Sequence, residues 1–203
     1  MFITFEGIDG SGKTTQSKLL AGHFKKTHGE NSVILTREPG GTDFAEKIRK
    51  VLLVNIIDPI AELLLFVSTR YEHMKSLILP ALKEGKIVIC DRFIDSTIAY
   101  QGYGLGVDLK LIEKLHELVD IEHPDITFIL DINVNAGLNR AEDKNKYEGM
   151  DINFYNKVRK GFQEIAEKDS NRCCIITEAE KKDSKQIYDE VIAEIVKRGR
   201  DRN

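Results

Sequence analysis

A doubly wound α/β fold with a parallel five-stranded sheet is what this sequence predicts, and three observations predict it. Short apolar runs that read as strands alternate with helix-length amphipathic stretches along the whole chain. The segments between successive strands are long enough to hold a helix, which favours parallel strands joined by right-handed crossovers. The third observation is the join between the first strand and the first helix, where Phe5 to Gln16 reads FEGIDGSGKTTQ. Gly7, Gly12, Lys13 and Thr14 there fit the G-x-x-x-x-G-K-[ST] pattern of a phosphate-binding P-loop, in the strand–loop–helix context that the pattern requires.

The elements follow in order. Met1 to Phe5 is a short buried strand, and Thr14 to Lys26 an amphipathic helix whose N-terminal dipole faces the loop. Ser32 to Thr36 is the second strand, running into a Pro-Gly-Gly loop over Arg37 to Thr42. Thr42 or Asp43 caps a helix over Phe44 to Leu53. Pro59, a good first-turn residue, opens a long helical region to about Glu84 with a bend expected near Pro80. Lys86 to Cys90 is the third strand. Ile94 to Gln101 reads as a helix stopped at Gly102, Gly104 and Gly106, and Asp108 caps another that runs to about Val119. Asp125 to Asp131 is the fourth strand and Asn135 to Arg140 a helix. A polar segment occupies 141–150; a helix follows over Asp151 to Lys168, then a fifth strand over Arg172 to Thr177 and a last helix over Ser184 to Lys197. No repeat or linker interrupts the 203 residues, so a single domain over 1–203 is expected.

Composition limits the partners. Thirty Lys and Arg against 33 Asp and Glu leave a formal charge of −3, which gives no bulk electrostatic reason to bind nucleic acid. Anionic ligands must be held by local clusters of basic residues. No apolar run reaches the ~18 residues of a membrane span, and no signal peptide is evident. Cys90, Cys173 and Cys174 adjoin apolar runs and match no metal-ligand spacing, so buried strand positions and a reduced, cytoplasmic setting are expected.

In a sheet of this kind ligands bind beyond the C-terminal ends of the strands, and the polar clusters fall there. In the P-loop, Gly7, Asp9, Gly10, Ser11, Gly12, Lys13, Thr14 and Thr15 are the candidate nucleotide-triphosphate contacts. The glycines let backbone N–H groups converge on phosphate oxygens, and Lys13 adds a mobile positive charge. The Thr14 hydroxyl and Asp91, which follows an apolar strand as a Walker-B acid does, are the candidate Mg²⁺ ligands. Arg37 and Arg92 present planar forks suited to a second phosphate. Two phosphate sites favour phosphoryl transfer over simple hydrolysis. Phe66, Arg70 and His73 share one helical face, as do Thr97, Tyr100 and Gln101. Phe66 and Arg70 suit the reading of a nucleoside base, although spacing alone favours a core Phe with a surface Arg, and His73 reads as a structural or exposed residue. Thr97, Tyr100 and Gln101 also suit it, and packing and capping explain them at least as well.

Together FEGIDGSGKTTQ, REPGGT, LLLFVSTRYEH and DRFIDSTIAYQGYG resemble bacterial thymidylate kinases, in order and at family-like spacing over essentially the whole chain. The resemblance implies transfer of the ATP γ-phosphoryl group to dTMP with Mg²⁺, giving dTDP and ADP for dTTP synthesis, by a cytoplasmic homodimer. It implies that Asp9 contacts the acceptor sugar, that Phe66 stacks on thymine, and that Arg70 donates to its O4. Thr97 and Gln101 then approach the base edge, and Tyr100 closes the space at the 2′-carbon. Arg37 and Arg92 hold the acceptor phosphate, with Glu38 and Arg49 nearby. Some members carry Arg where this chain has Gly10. The resemblance then shifts catalytic charge to a lid at about 141–150, with Arg140, Lys144 and Lys146 as candidates. Lys146 stands where many relatives carry an Arg, so a planar fork is replaced by a point charge. Other nucleoside monophosphate or deoxynucleoside kinases remain alternatives on the residues alone. A GTPase-like switch is a rival from another class, although its N-K-x-D signature is only approximated by Asn145-Lys146-Tyr147-Glu148. The adenine pocket has no signature; the loop around Thr177-Glu178-Ala179 is chosen by position.

Overall fold

The computed structural model describes residues 1–140 and 146–199. Five strands, β1 (Phe2–Glu6), β2 (Val33–Arg37), β3 (Ile87–Asp91), β4 (Ile126–Leu130) and β5 (Cys173–Ile176), form one sheet in the order β2-β3-β1-β4-β5. Every pairing is parallel, with Ile3 opposite Ile89 on one side and Ile126 on the other. All five residues of β1 are buried, because helices cover both faces of the central strand. Alternation sends Phe2, Val88 and Cys90 to one face, where Met74, Ile78 and Ala81 pack on them. Ile3, Phe5 and Ile89 turn to the other, against Leu20, Ala21 and Phe24 of α1 (Lys13–His28).

The helices start at side-chain caps. Thr42 accepts from the Ala45 N–H at the head of α2 (Asp43–Val54), and Asp58 caps α3 (Pro59–His73) with Pro59 in its first turn. The bend expected near Pro80 takes another form. A wide π-helical turn over Met74–Ile78 precedes a short helix α4 (Leu79–Lys83) that has Pro80 in its first turn. Pro80 cannot donate back to the preceding turn, and the wide turn absorbs the break just before it.

The expected stop at Gly102 is corrected more substantially. Helix α5 (Ile94–Thr97) continues as a π-helical segment through Ile98–Gly104. Glycine here serves packing. A Cβ on Gly104 would lie 2.6 Å from Cε2 of Phe154, so its absence lets α8 (Ile152–Lys168) pack directly on the segment. Asp108 caps α6 (Leu109–Leu118), α7 (Val134–Arg140) follows β4, and α9 (Ser184–Lys197) starts from an Asp183–Gln186 capping box. Cys90 and Cys173 are buried as expected, whereas Cys174 is half-buried on the edge strand.

Candidate active site

The C-terminal ends of β1, β2 and β3 open into a cleft of about 760 Å³. At one end stands the P-loop. Gly12 caps α1 with φ 93°, in the left-handed region, and aims the first helical N–H groups into the cleft. Lys13 is buried; its Nζ donates to the Ile8 carbonyl (2.7 Å) and to Ser11 Oγ (3.3 Å), folding the side chain back over the loop. Burial, with Arg92 adding repulsion, lowers the Lys13 ammonium to about 8. Thr14 Oγ1 donates to Asp91 Oδ2, so the two candidate metal ligands meet at the junction of P-loop and β3. No cluster of three His, Cys, Asp or Glu able to hold a metal occurs among the described residues. A hydroxyl and one carboxylate beside a phosphate cradle nevertheless suit Mg²⁺, which takes few protein ligands and completes its shell with substrate phosphates and water.

Gly10 makes the tightest approach in the loop. A Cβ there would lie 2.1 Å from the carbonyl oxygen of Gly137 in α7, and its φ is +74°. The P-loop therefore sits directly on α7, and in this arrangement no side chain fits at position 10.

The middle of the cleft belongs to Arg92, whose φ of 69° is unusual for a non-glycine residue. Its Nη1 donates to the Gly7 carbonyl and to Ser96 Oγ, both at 3.0 Å. Its Nη2 donates to Asp9 Oδ1 at 2.5 Å and to the Tyr100 hydroxyl at 3.3 Å, and the guanidinium lies 5.1 Å from the Tyr100 ring centre. Burial works to raise the Asp9 carboxyl, but the Arg92 and Lys13 charges outweigh it and hold it below its ordinary value. Behind this group, Glu6 accepts from the Phe93 N–H (2.7 Å) and from Ser96 Oγ (2.5 Å). Burial, reinforced by Asp95, raises the Glu6 carboxyl to about 8.

The far end is built from side chains. Arg70, only 1% exposed, donates through Nε to Glu38 (2.7 Å), through Nη1 to His116 Nε2 (2.7 Å), and through Nη2 to the Phe93 carbonyl and Thr97 Oγ1 (3.0 Å each). His73 is buried and bonds Glu38 Oε1 at 3.0 Å and Thr36 Oγ1 at 2.8 Å. Although burial opposes it, Glu38 is held below its ordinary value by Arg70 and His73. Its carboxylate lines the cleft and is held by the Arg70 network. Phe66 lines the same end of the cleft.

The other expected residues divide. Arg37, Arg49, Thr15 and Arg140 line the cleft, while Gly7, Ser11 and Lys146 do not. Arg37 bonds Glu46 through Nη2 (3.1 and 3.2 Å), Arg49 donates to the Pro39 carbonyl at 2.8 Å, and Arg140 to the Glu180 carbonyl at 3.0 Å. Lys146, read as a lid cation, pairs instead with buried Glu62 of α3. Glu62 also accepts from Tyr147 OH and from Gln101 Nε2 (2.7 Å), so Gln101 reaches the cleft wall with its amide already engaged. Lys144 lies outside the described residues. Asp131, at the end of β4, is occupied by Arg159 and Gln163 of α8 and does not line the cleft. Sequence reasoning missed Glu6, Glu62, Ser96, His116 and Tyr147. The one visible signal was Glu6, a charge closing an otherwise apolar strand.

A P-loop that faces a second cationic group across a cleft at the sheet edge defines a phosphotransferase of the nucleoside monophosphate kinase class. The family model for thymidylate kinase matches residues 5–187. A thymidylate kinase of Wolbachia pipientis from Culex pipiens is 74% identical over 198 residues, which is 98% of this chain and 97% of the relative. One from Ehrlichia chaffeensis is 54% identical over 190 residues, covering 93% and 91%. The crystal structure of thymidylate kinase from Ehrlichia chaffeensis superposes with a TM-score of 0.82 at 48% identity, over 96% of this chain and 98% of that one. The chain belongs to the thymidylate kinase family, which phosphorylates dTMP to dTDP with ATP as phosphoryl donor.

Proposed function

We propose that the chain carries out this transfer in line across the cleft, with ATP phosphates on the P-loop and the dTMP phosphate at Arg92. The observation that carries the reading is the position of Arg92, which bridges Gly7 and Asp9 of the P-loop to Tyr100 on the acceptor side. Phosphoryl transfer needs positioning and charge neutralisation more than covalent chemistry. Backbone N–H groups of the P-loop and Lys13 hold the donor phosphates. Arg92 neutralises the acceptor phosphate, and Arg37 joins it by exchanging its exposed pairing with Glu46. Asp9 orients Arg92 and faces the sugar. Phe66 stacks on the base, the free N–H of Arg70 donates to its O4, and Tyr100 closes the space at the 2′-carbon. Thr14 and Asp91 are the residues that would hold Mg²⁺, which when bound screens the charge on the transferring group.

Arg140, which lines the cleft, is the preferred lid-side cation over Lys146, which Glu62 neutralises. Phe44 and Val51 on α2, with Ile60, Leu64 and Tyr71 on α3, are each 42–50% exposed and favour a homodimer through this face. A cytoplasmic location and a single domain over 1–203 belong to the same reading; no helix among the described residues is long and apolar enough to cross a membrane.

A coupled assay with ATP and Mg²⁺ across dTMP, dUMP, dCMP, dAMP and dGMP tests the reading. ADP release that depends on dTMP and far exceeds that with the other four supports it. ATP turnover independent of any monophosphate, or a preference for GTP, would point to a nucleotide-binding switch.

A further inference from the structure

Arg70 reaches the cleft with most of its hydrogen-bonding capacity already committed. Four of its five N–H groups are engaged, by Glu38, His116, the Phe93 carbonyl and Thr97. The remaining one is the second N–H on Nη1, the nitrogen that also donates to His116. The orientation of this nitrogen therefore decides what the cleft presents to a base.

His116 lies on α6, is 4% exposed, and does not line the cleft. Its Nδ1 is 2.8 Å from the Ile112 carbonyl one turn back, a partner that can only accept. The proton must therefore sit on Nδ1, which leaves Nε2 as an acceptor 2.7 Å from Arg70 Nη1. This arrangement requires a neutral imidazole, and burial next to the Arg70 charge keeps it so, lowering its pKa to about 4. Each contact in the chain from Ile112 to the base is thus directional.

We propose that His116 is a specificity-determining positioning residue, which fixes Arg70 so that its one uncommitted N–H meets a carbonyl oxygen of the acceptor base. The inference rests on the reading of Arg70 as the base contact. A donor at this point pairs with O4 of thymine, which accepts, and opposes the amino group of cytosine, which is itself a donor. Without the Nε2 acceptor, Nη1 is left with an unpaired buried N–H and turns to find another partner.

The test compares His116→Phe, His116→Gln and Arg70→Lys with the natural chain, reading kcat and KM for dTMP, dCMP and ATP. His116→Phe keeps a ring and removes both hydrogen bonds. It should raise the KM for dTMP about tenfold and cut the dTMP-over-dCMP preference by a similar factor, with the KM for ATP unchanged. His116→Gln, which can offer a carbonyl oxygen to Nη1, should recover most of the preference; a purely packing role would give no such rescue. A loss of preference in Arg70→Lys with none in His116→Phe overturns the inference and spares the Arg70 reading. An unchanged preference in Arg70→Lys removes that reading and the inference with it. Should His116→Phe fail to fold, ¹⁵N NMR of the natural chain decides, since a proton on Nδ1 is required and one on Nε2 contradicts the proposal.

Discussion

The two ends of the cleft bind their ligands by different means. At the P-loop end, Gly12 and the head of α1 present backbone groups, and the main side chain, Lys13, rests on a backbone carbonyl. At the base end, Arg70 is held by Glu38 just after β2, the Phe93 carbonyl just before α5, Thr97 of α5 and His116 of α6. A backbone cradle tolerates change in its neighbours provided that its glycines remain. A side-chain network fails when any one of its partners is lost. The first construction suits phosphate, which every nucleotide carries; the second suits a base, which must be told from its relatives.

Substitutions should separate the two ends in order of effect. Arg92→Ala, at the meeting point, should lower kcat by about a thousandfold, and a near-normal rate would remove Arg92 from the mechanism. Gly10→Ala should impair the donor end alone. Its Cβ meets the Gly137 carbonyl at 2.1 Å on a backbone with φ +74°, so the KM for ATP should rise and the protein lose about 1–2 kcal/mol in denaturant titration. Arg140→Ala should slow turnover about a hundredfold, against threefold or less for Lys146→Ala; the reverse order would return the lid charge to Lys146.

Two pH effects are smaller. Lys13 is charged below about 8 in the free protein and loses its proton above it. The KM for ATP should therefore rise about tenfold between pH 7 and pH 9, while dTMP binding changes less. Glu6 has its pKa raised from 4.5 to about 8, so the folded state retains a proton that the unfolded chain releases. Its contribution to stability is full below pH 4.5 and is lost as pH rises through about 8. Melting curves of Glu6→Gln should accordingly gain on the natural chain toward alkaline pH.

The same contrast explains what could be read from the sequence. The P-loop is a local feature, so strand, glycines, Lys13 and helix were legible in one stretch. The parallel arrangement of the strands and the clusters at the ends of β1, β2 and β3 followed from alternation and crossover length, whereas the order β2-β3-β1-β4-β5 did not. The Arg70 network was not legible, because Glu38, Arg70, Thr97 and His116 come from four separated segments and His116 reads as one more polar residue on an amphipathic helix. Helical spacing put Phe66, Arg70 and His73 on one face and gave no sign that Glu38 lies between the last two. Gly102 and Gly104 misled for a related reason: a glycine that ends a helix and one that admits a neighbouring helix look alike until Phe154 is in place. Lys146 was read as a lid cation because nothing in the sequence links it to Glu62, more than eighty residues earlier.

Titration calorimetry of Arg70→Lys, with dTMP and separately with a non-hydrolysable ATP analogue, tests the division most directly. Lysine keeps the charge beside Glu38 and removes the fork that Phe93, Thr97 and His116 hold. Affinity for dTMP should fall at least tenfold, with the ATP analogue bound as in the natural chain. Equal weakening of both ligands, or undiminished dTMP binding, would contradict a base end built on Arg70.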